Sequence, residues 1–473
     1  MNREIEINST IRIIVLSFAA VTAGMTLWAC VDHQMMYAAV GLIAFLIGIV
    51  PFLFLKSYDL FSPWSFVLLA IGMGCTLQCL CMSFMWPNAE AIERLLILGQ
   101  PPEYFIYPAG LYLLGIICLT AGYFANRRSR HWKLNIKREY SNNNLIIVLG
   151  ACLVVSVVAT LAFVRFTGGV QSGKISAKRT TIKTLDVQRD DGFRQYGSLR
   201  HMGKLANVAF LILYSFFLAR NPKLTTMQWA LVGGSFLVAC ALPFYMSLRG
   251  QVCWVILSAL GVTYYHGRGN FVMKFGIYAA LSIALFVFMS ILRHAGDDDA
   301  MSKLTIEDSI SSLILNRNGP GLSKTAHIIN HIPDTLEFKY GETIAVWVIA
   351  PIPRELYPNK PMVHTGPIIG TRIYGNRVSG VPPGLVAELY WNFYIPGIIF
   401  GMLTVGWVLH AVYMLFRNCN VDPTIVSPIY LFAIIPVGFA IIGHSLGFGT
   451  IMRFVDFATI GVVVFFCTRQ RSD

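Results

Sequence analysis

Runs of about 20 apolar residues recur along nearly the whole of this 473-residue chain, and they restrict its fold more than any other feature. A segment of that length matches the hydrocarbon thickness of a bilayer. Inside lipid the backbone finds no water, so it must satisfy its own polar groups by becoming helical. Twelve such runs are read, at about 12–30, 36–55, 64–85, 104–125, 145–164, 205–219, 227–247, 252–266, 271–292, 385–416, 425–443 and 447–467. Charged residues make up 13% of the chain, against about a quarter in soluble domains. The expected fold is an all-α integral membrane bundle of about twelve transmembrane helices, one polytopic unit over residues 1–473. The run from 385 is too long for one straight span. It is expected to begin outside the membrane or as a re-entrant helix, and to cross after Pro396. The run after Arg3 and Arg12 is long for a cleaved signal and is read as a retained anchor.

Loop charge sets the expected orientation. The segment NRRSRHWKLNIKRE (126–139) holds six Lys/Arg and one Glu, so it is placed in the cytoplasm. Alternation then puts both termini inside, together with Lys56, Arg220, Lys223, Arg268, Arg417, Arg469 and Arg471. Two long loops fall outside, at 165–204 and at 293–384, the second expected to carry short helices. Each holds nine Lys/Arg; the first has three acids against them and the second nine. A cation excess kept on the outer face suggests an anionic ligand. The net charge of +13 is therefore read against a membrane, with no nucleic-acid partner expected. The ten cysteines lie mostly within apolar runs and form neither a disulfide framework nor a zinc pattern.

Several residues could carry chemistry. Arg249 lies in SLRGQ (247–251), read as a tight outer turn with Gly250 giving the backbone freedom. A charge between two apolar spans is costly without a partner, and a guanidinium grips phosphate in a bidentate fork. The plain alternative is an arginine that snorkels to the interface. Arg293, in SILRHAG, ends the ninth span on the same face. Arg317, in LILNRNGPG, precedes a Gly-Pro turn. Arg453, in GTIMRFVDF, lies in the last span three residues before Asp456, where a buried ion pair is as good a reading as a function.

The segment PIPRELYPNKP (351–361) cannot run as a helix, because its prolines remove donors and push their neighbours toward extended backbone. Such a frame would hold Arg354, with Lys360 nearby, ready at the membrane surface. An ordinary proline-rich turn is the alternative. Further on, Glu388 and Asn392 in GLVAELYWNFYIPG (384–397) are four apart and share a helical face. Tyr390, Trp391 and Tyr394 read as an interfacial belt. A carboxylate at the mouth of a span is a candidate general base; an ion pair with a loop arginine is the alternative. His364 is the other candidate base. The acids of GDDDA (296–300), and His327 with His331, are weak metal signals with no evident further ligand, so neither metal nor cofactor is expected.

Together SLRGQ, PRELYPNKP and ELYWN resemble motifs of the Wzy-type O-antigen (repeat-unit) polysaccharide polymerases. In that family a small-residue–Arg turn precedes GQ, a loop reads P-[RS]-x-[LW]-[WY]-P-x-[KR]-P, and E-x-x-x-N enters a span. SILRHAG, LILNRNGPG and MRFVDF also fall where related polymerases carry arginines. Leu248 stands where a small residue is usual. The layout covers most of the chain and the motifs mainly 245–295 and 310–400. The resemblance implies a GT-C-like fold in the bacterial inner membrane with a periplasmic active site. It implies an undecaprenyl pyrophosphate-linked oligosaccharide as substrate, transferred without a metal to the non-reducing end of another lipid-linked repeat unit, with inversion. Membrane lipid and a chain-length regulator would be partners. On this reading Arg249, Arg293 and Arg354 serve the pyrophosphate, with Lys360 and Arg453 as further substrate contacts. Arg317 and Arg200 touch pyrophosphate or glycan, and Glu388 or His364 takes the acceptor proton.

Two rival functions fit the same layout. An O-antigen ligase would move the finished glycan to lipid A-core and would be favoured by a dominant catalytic histidine in an outer loop. A transporter or flippase of an anionic lipid-linked glycan would place charges near mid-membrane and break helices in paired positions.

Overall fold

The structure, a computed structural model, describes residues 4–32, 34–85, 100, 103–125, 138–140, 142–167, 197–220, 224–246, 248–267, 271–294, 321–349, 352, 356–357, 359, 365–375, 381–420, 422–443, 446, 460–461, 463–466 and 468–470. The described residues are predominantly helical, the architecture of an all-α, multi-pass membrane protein. Among the described residues nine helices are long and apolar enough to cross a bilayer: Ser9–Ala29, Met35–Leu53, Pro63–Phe84, Glu103–Ala125, Asn142–Phe166, Ser198–Arg220, Thr226–Tyr245, Leu385–Arg417 and Pro423–Gly443. Arg249–Tyr265 adds a helix of 17 residues and Phe271–His294 one of 24. Most of the twelfth expected run, 447–459, lies outside the described residues.

Local chemistry starts these helices where the sequence turns polar. Thr225 and Gln228 form a reciprocal capping box ahead of Thr226–Tyr245. Asp422 accepts from Thr424 N at 2.8 Å, with Pro423 in the first helical position. Two π-helical turns, Gly72–Thr76 and Cys81–Met85, interrupt the third span. The long 385–417 helix is broken: Phe393 and Tyr394 leave helical geometry, and Tyr394 takes φ +58°. The run expected to cross after Pro396 is thus broken just before that proline.

The centre is built by close backbone contact. A Cβ on Gly122 would lie 2.1 Å from Leu403 O, and one on Gly406 would lie 2.3 Å from Leu119 O. The 103–125 and 385–417 helices therefore pack with glycines at their crossing, as membrane helices do when dispersion drives association. Contacts between distant segments sort the helix ends into two sets, in step with chain alternation. At one end Ile5–Glu6 pairs with Ser57–Tyr58, Arg138–Tyr140 pairs with Thr468–Gln470, Glu4 meets Arg417, and Asn142 meets Arg220. At the other end Ser83 bonds Gln34 O, Tyr245 meets Thr167, and Lys324 meets Gly443.

One sequence expectation is corrected here, and one is met with an addition. Residues 197–204 are not loop: Gly197–Gly203 is helical and continues into Leu205–Arg220 as one span. Within 293–384, short helices form at Leu322–Asn330, Glu342–Ile349 and Thr365–Arg372. The first is no surface element, since Leu322 through Ile329 are all buried among Phe105, Tyr112 and Leu385.

Candidate functional site

Glu388 occupies the first turn of the 385–417 helix and has no exposed surface. Gly384 precedes that helix with φ +77°, where any side chain would be strained, and a Cβ there would lie 3.0 Å from Ile442 O, with Lys324 Cε in ordinary contact at 3.7 Å. Burial of a carboxyl is costly unless donors meet it. Thr343 Oγ1 donates to Glu388 Oε1 at 3.0 Å, and Leu446 N donates to Oε2. Asn392, one turn along the same face, donates to Thr343 Oγ1 and to Glu388 O, both at 2.7 Å. Its own Oδ1 accepts from Gly341 N at 2.9 Å, so the network ties the 342–349 helix to the 385–417 helix. The face shared by Glu388 and Asn392 is the one expected from their spacing.

The aromatic belt read around Glu388 is corrected. Trp391 is fully buried and donates from Nε1 to Glu337 O at 2.7 Å; Tyr390 is buried as well. Of the three only Tyr394 is exposed, at 46%. The helix break rotates it away from the face that Trp391 occupies.

Lys324 lies on the other side of Gly384. It is 3% exposed and donates to Gly443 O at 2.9 Å, at the carboxyl end of the 435–443 helix. Burial pushes its ammonium down to about 7. The 322–330 helix is fixed further by Asn330, which donates to Tyr104 O at 2.8 Å, and by His327 Nδ1, 3.2 Å from Tyr104 OH. His327 thus packs as a core histidine, and His331 bonds back to His327 O at 2.6 Å.

A second polar centre lies at the same ends of the bundle. A cavity of about 90 Å³ is lined by Lys204, Asn207, Gln251, Trp254, Ser258 and Phe432, among others. A smaller one of about 30 Å³ shares Lys204, Asn207 and Gln251 and adds Arg200. Asn207 is 7% exposed, and its Oδ1 has no hydrogen-bond partner among the described residues. Arg249 is half-buried beside this centre as the first residue of the 249–265 helix. The expected turn is corrected accordingly: it closes before Arg249, and Gly250 is helical. Arg200 is buried, 5.2 Å from the Phe163 ring centre, within the extended sixth span. The cavity wall at Pro436 and the Lys324 contact at Gly443 are seven residues apart on one helix, about 10 Å along its axis.

Arg293 is the penultimate residue of the 271–294 helix. Arg317, Arg354, Lys360, His364 and Arg453 lie outside the described residues, as do the acids of GDDDA. Sequence reasoning missed Lys204, Asn207, Thr343 and Lys324 as parts of a site. Gln251 stood in a quoted motif without a role. Lys324 sits in LSKTAHIIN, a stretch of ordinary polarity, and nothing there announces that it is buried. Comparison with protein-family models, with characterised proteins and with solved structures gives no match.

Proposed function

We propose that this chain is a membrane glycosyltransferase of the Wzy type, a repeat-unit polysaccharide polymerase acting at the periplasmic face of a bacterial inner membrane through about twelve spans in a GT-C-like arrangement. The observation that carries the reading is the pairing of two centres at one end of the bundle. One is a cavity with cations and amides, at Arg200, Lys204, Asn207 and Gln251 beside Arg249. The other is a buried carboxylate in a donor network, at Glu388.

The cavity suits a phosphate-bearing lipid headgroup. Guanidinium and ammonium groups meet the charge, amides meet the linking oxygens, and Trp254 with Phe432 offers apolar surface. In the reaction the acceptor hydroxyl oxygen attacks the anomeric carbon of the donor glycan. The bond from that carbon to the pyrophosphate oxygen breaks, and its electron pair leaves with the lipid pyrophosphate. The hydroxyl proton passes to the carboxylate of Glu388, and the anomeric centre inverts. Cations aimed at the leaving oxygens stabilise the charge that develops there. Arg293, Arg317, Arg354, Lys360 and Arg453 are proposed as further substrate contacts, with His364 as the alternative base.

The test is product length on a gel. Purified protein in nanodiscs is given the host's undecaprenyl pyrophosphate-linked repeat unit with EDTA present. A ladder spaced by one repeat, lost in Arg249→Ala and in Glu388→Gln, supports the polymerase. Movement of radiolabelled glycan-lipid across proteoliposomes without a ladder identifies a transporter instead. Transfer to lipid A-core without chain growth identifies a ligase.

A further inference from the structure

We infer that Lys324 is a positioning residue for the Glu388 carboxylate: its grip on the Gly443 carbonyl fixes the chain whose Leu446 N–H, three residues on, meets Glu388 Oε2. The inference rests on the reading of Glu388 as proton acceptor.

Three observations carry it. Lys324 and Glu388 come from segments far apart in sequence, yet one bonds Gly443 O and the other Leu446 N, three residues along the same chain. Gly384, one turn before Glu388, would place a Cβ 3.9 Å from Lys324 Nζ, so the amine also abuts the start of the helix that carries the carboxylate. And the position is costly for a lysine, because an ammonium 3% exposed loses most of its hydration. A neutral amide could bond one carbonyl without that cost. A lysine adds charge at a helix carboxyl end, where it strengthens the bond.

The grip is therefore switchable. Burial alone depresses the amine, to about 7, so it passes from ammonium to amine near neutral pH. The titratable groups on the packed elements are Glu103, Tyr104, Tyr107 and Tyr112 on the first turns of the 103–125 helix, Glu388 and Tyr390 at the start of the 385–417 helix, and Cys75 and Cys79 on the third span, which meets Gly321. His327 shares the lysine's own helix, and the 435–443 helix contributes none. Below the transition a charged donor holds Gly443 O; above it a weaker neutral donor does.

The experiment is the rate of ladder formation from the host's undecaprenyl pyrophosphate-linked repeat unit between about pH 5.5 and 9. Wild type, Lys324→Gln, Lys324→Arg and Glu388→Gln are compared. The wild-type rate is expected to fall as pH rises through about 7. Lys324→Gln should lose that transition and up to about 10²-fold in rate, the cost of a small misplacement at a reacting group. Lys324→Arg stays charged, so it should recover part of the rate and show no transition. A Lys324→Gln variant with wild-type rate and profile overturns the inference and leaves Glu388 as base. An active Glu388→Gln variant overturns the base reading, and the inference with it. Should neither lysine variant fold, a wild-type profile flat between about pH 6 and 8 overturns it.

Discussion

Thr343 is the residue through which the Glu388 network either holds or fails. Its hydroxyl donates to the carboxylate and accepts from Asn392, so both ends of one O–H group are used. Thr343→Val keeps the shape and removes both bonds. Leaving such buried groups unmet costs about 1–3 kcal/mol, and a lowered melting temperature in detergent should report it. Thr343→Ser should restore most of the loss. At the opposite end of the bundle Asp59 is 3% exposed and accepts Tyr265 and Tyr413 hydroxyls on Oδ2, both at 2.9 Å, and Phe61 N on Oδ1. Burial, the largest cause, raises its proton affinity above the usual 3.8. The folded state then binds more protons than the unfolded state from about pH 4 up to the raised value, so the stability from this group is present in acid and is lost as pH rises through that window. Asp59→Asn should remove that slope from a plot of melting temperature against pH. A slope unchanged in the variant would count against Asp59 as its source.

Helix pairs carry the next level of argument. Gly122 and Gly406 let two backbones approach to a distance that no Cβ allows, and Leu403 O and Leu119 O are the atoms a methyl would strike. These are main-chain atoms and cannot swing aside. Gly122→Ala is expected to cost about 1–3 kcal/mol, the usual range for overpacking, while Gly110→Ala, which meets open space, should be neutral. Thermal unfolding of the two variants in one detergent decides it. At this scale structure is legible in the sequence where the period of apolar residues rules, and hidden where tertiary packing rules. The nine long apolar helices, the Glu388–Asn392 face and the need for the 385–417 helix to depart from one straight span all follow from hydropathy, helical spacing and an excess of length. The burial of 322–330 does not, because LSKTAHIIN has the polarity of a surface helix and is covered only after distant segments meet it. The same holds for Trp391, whose indole suits an interface but finds a carbonyl inside instead.

Across the whole molecule, the two polar centres and the two sets of helix ends make the proposed topology open to direct test. Cys30 is exposed at the end of the first helix, and Cys419 is partly exposed just beyond Arg417, at the opposite end of the bundle. With both termini cytoplasmic, a membrane-impermeant maleimide should label Cys30 in intact spheroplasts and reach Cys419 only after permeabilisation. The reverse pattern would invert the topology and move the candidate site to the cytoplasm. Cys30 and Cys419, at opposite ends of the bundle, thus supply the probes.

The Lys324 contact spans 119 residues, and its acceptor is made after its donor. At about 5–20 residues per second a ribosome needs roughly 6–24 s to cover that stretch. Through that interval the 322–330 helix can meet the earlier 103–125 helix, at Tyr104, Phe105 and Tyr112, but not the Gly443 carbonyl. Two more helices, 385–417 and 423–443, must insert before its apolar side chains and its ammonium find their places. The site is therefore among the last parts of the protein to exist during biogenesis. A chain stopped before Gly443 would carry most of the long apolar helices and the contacts among them, yet leave Lys324 without the carbonyl it bonds in the finished protein.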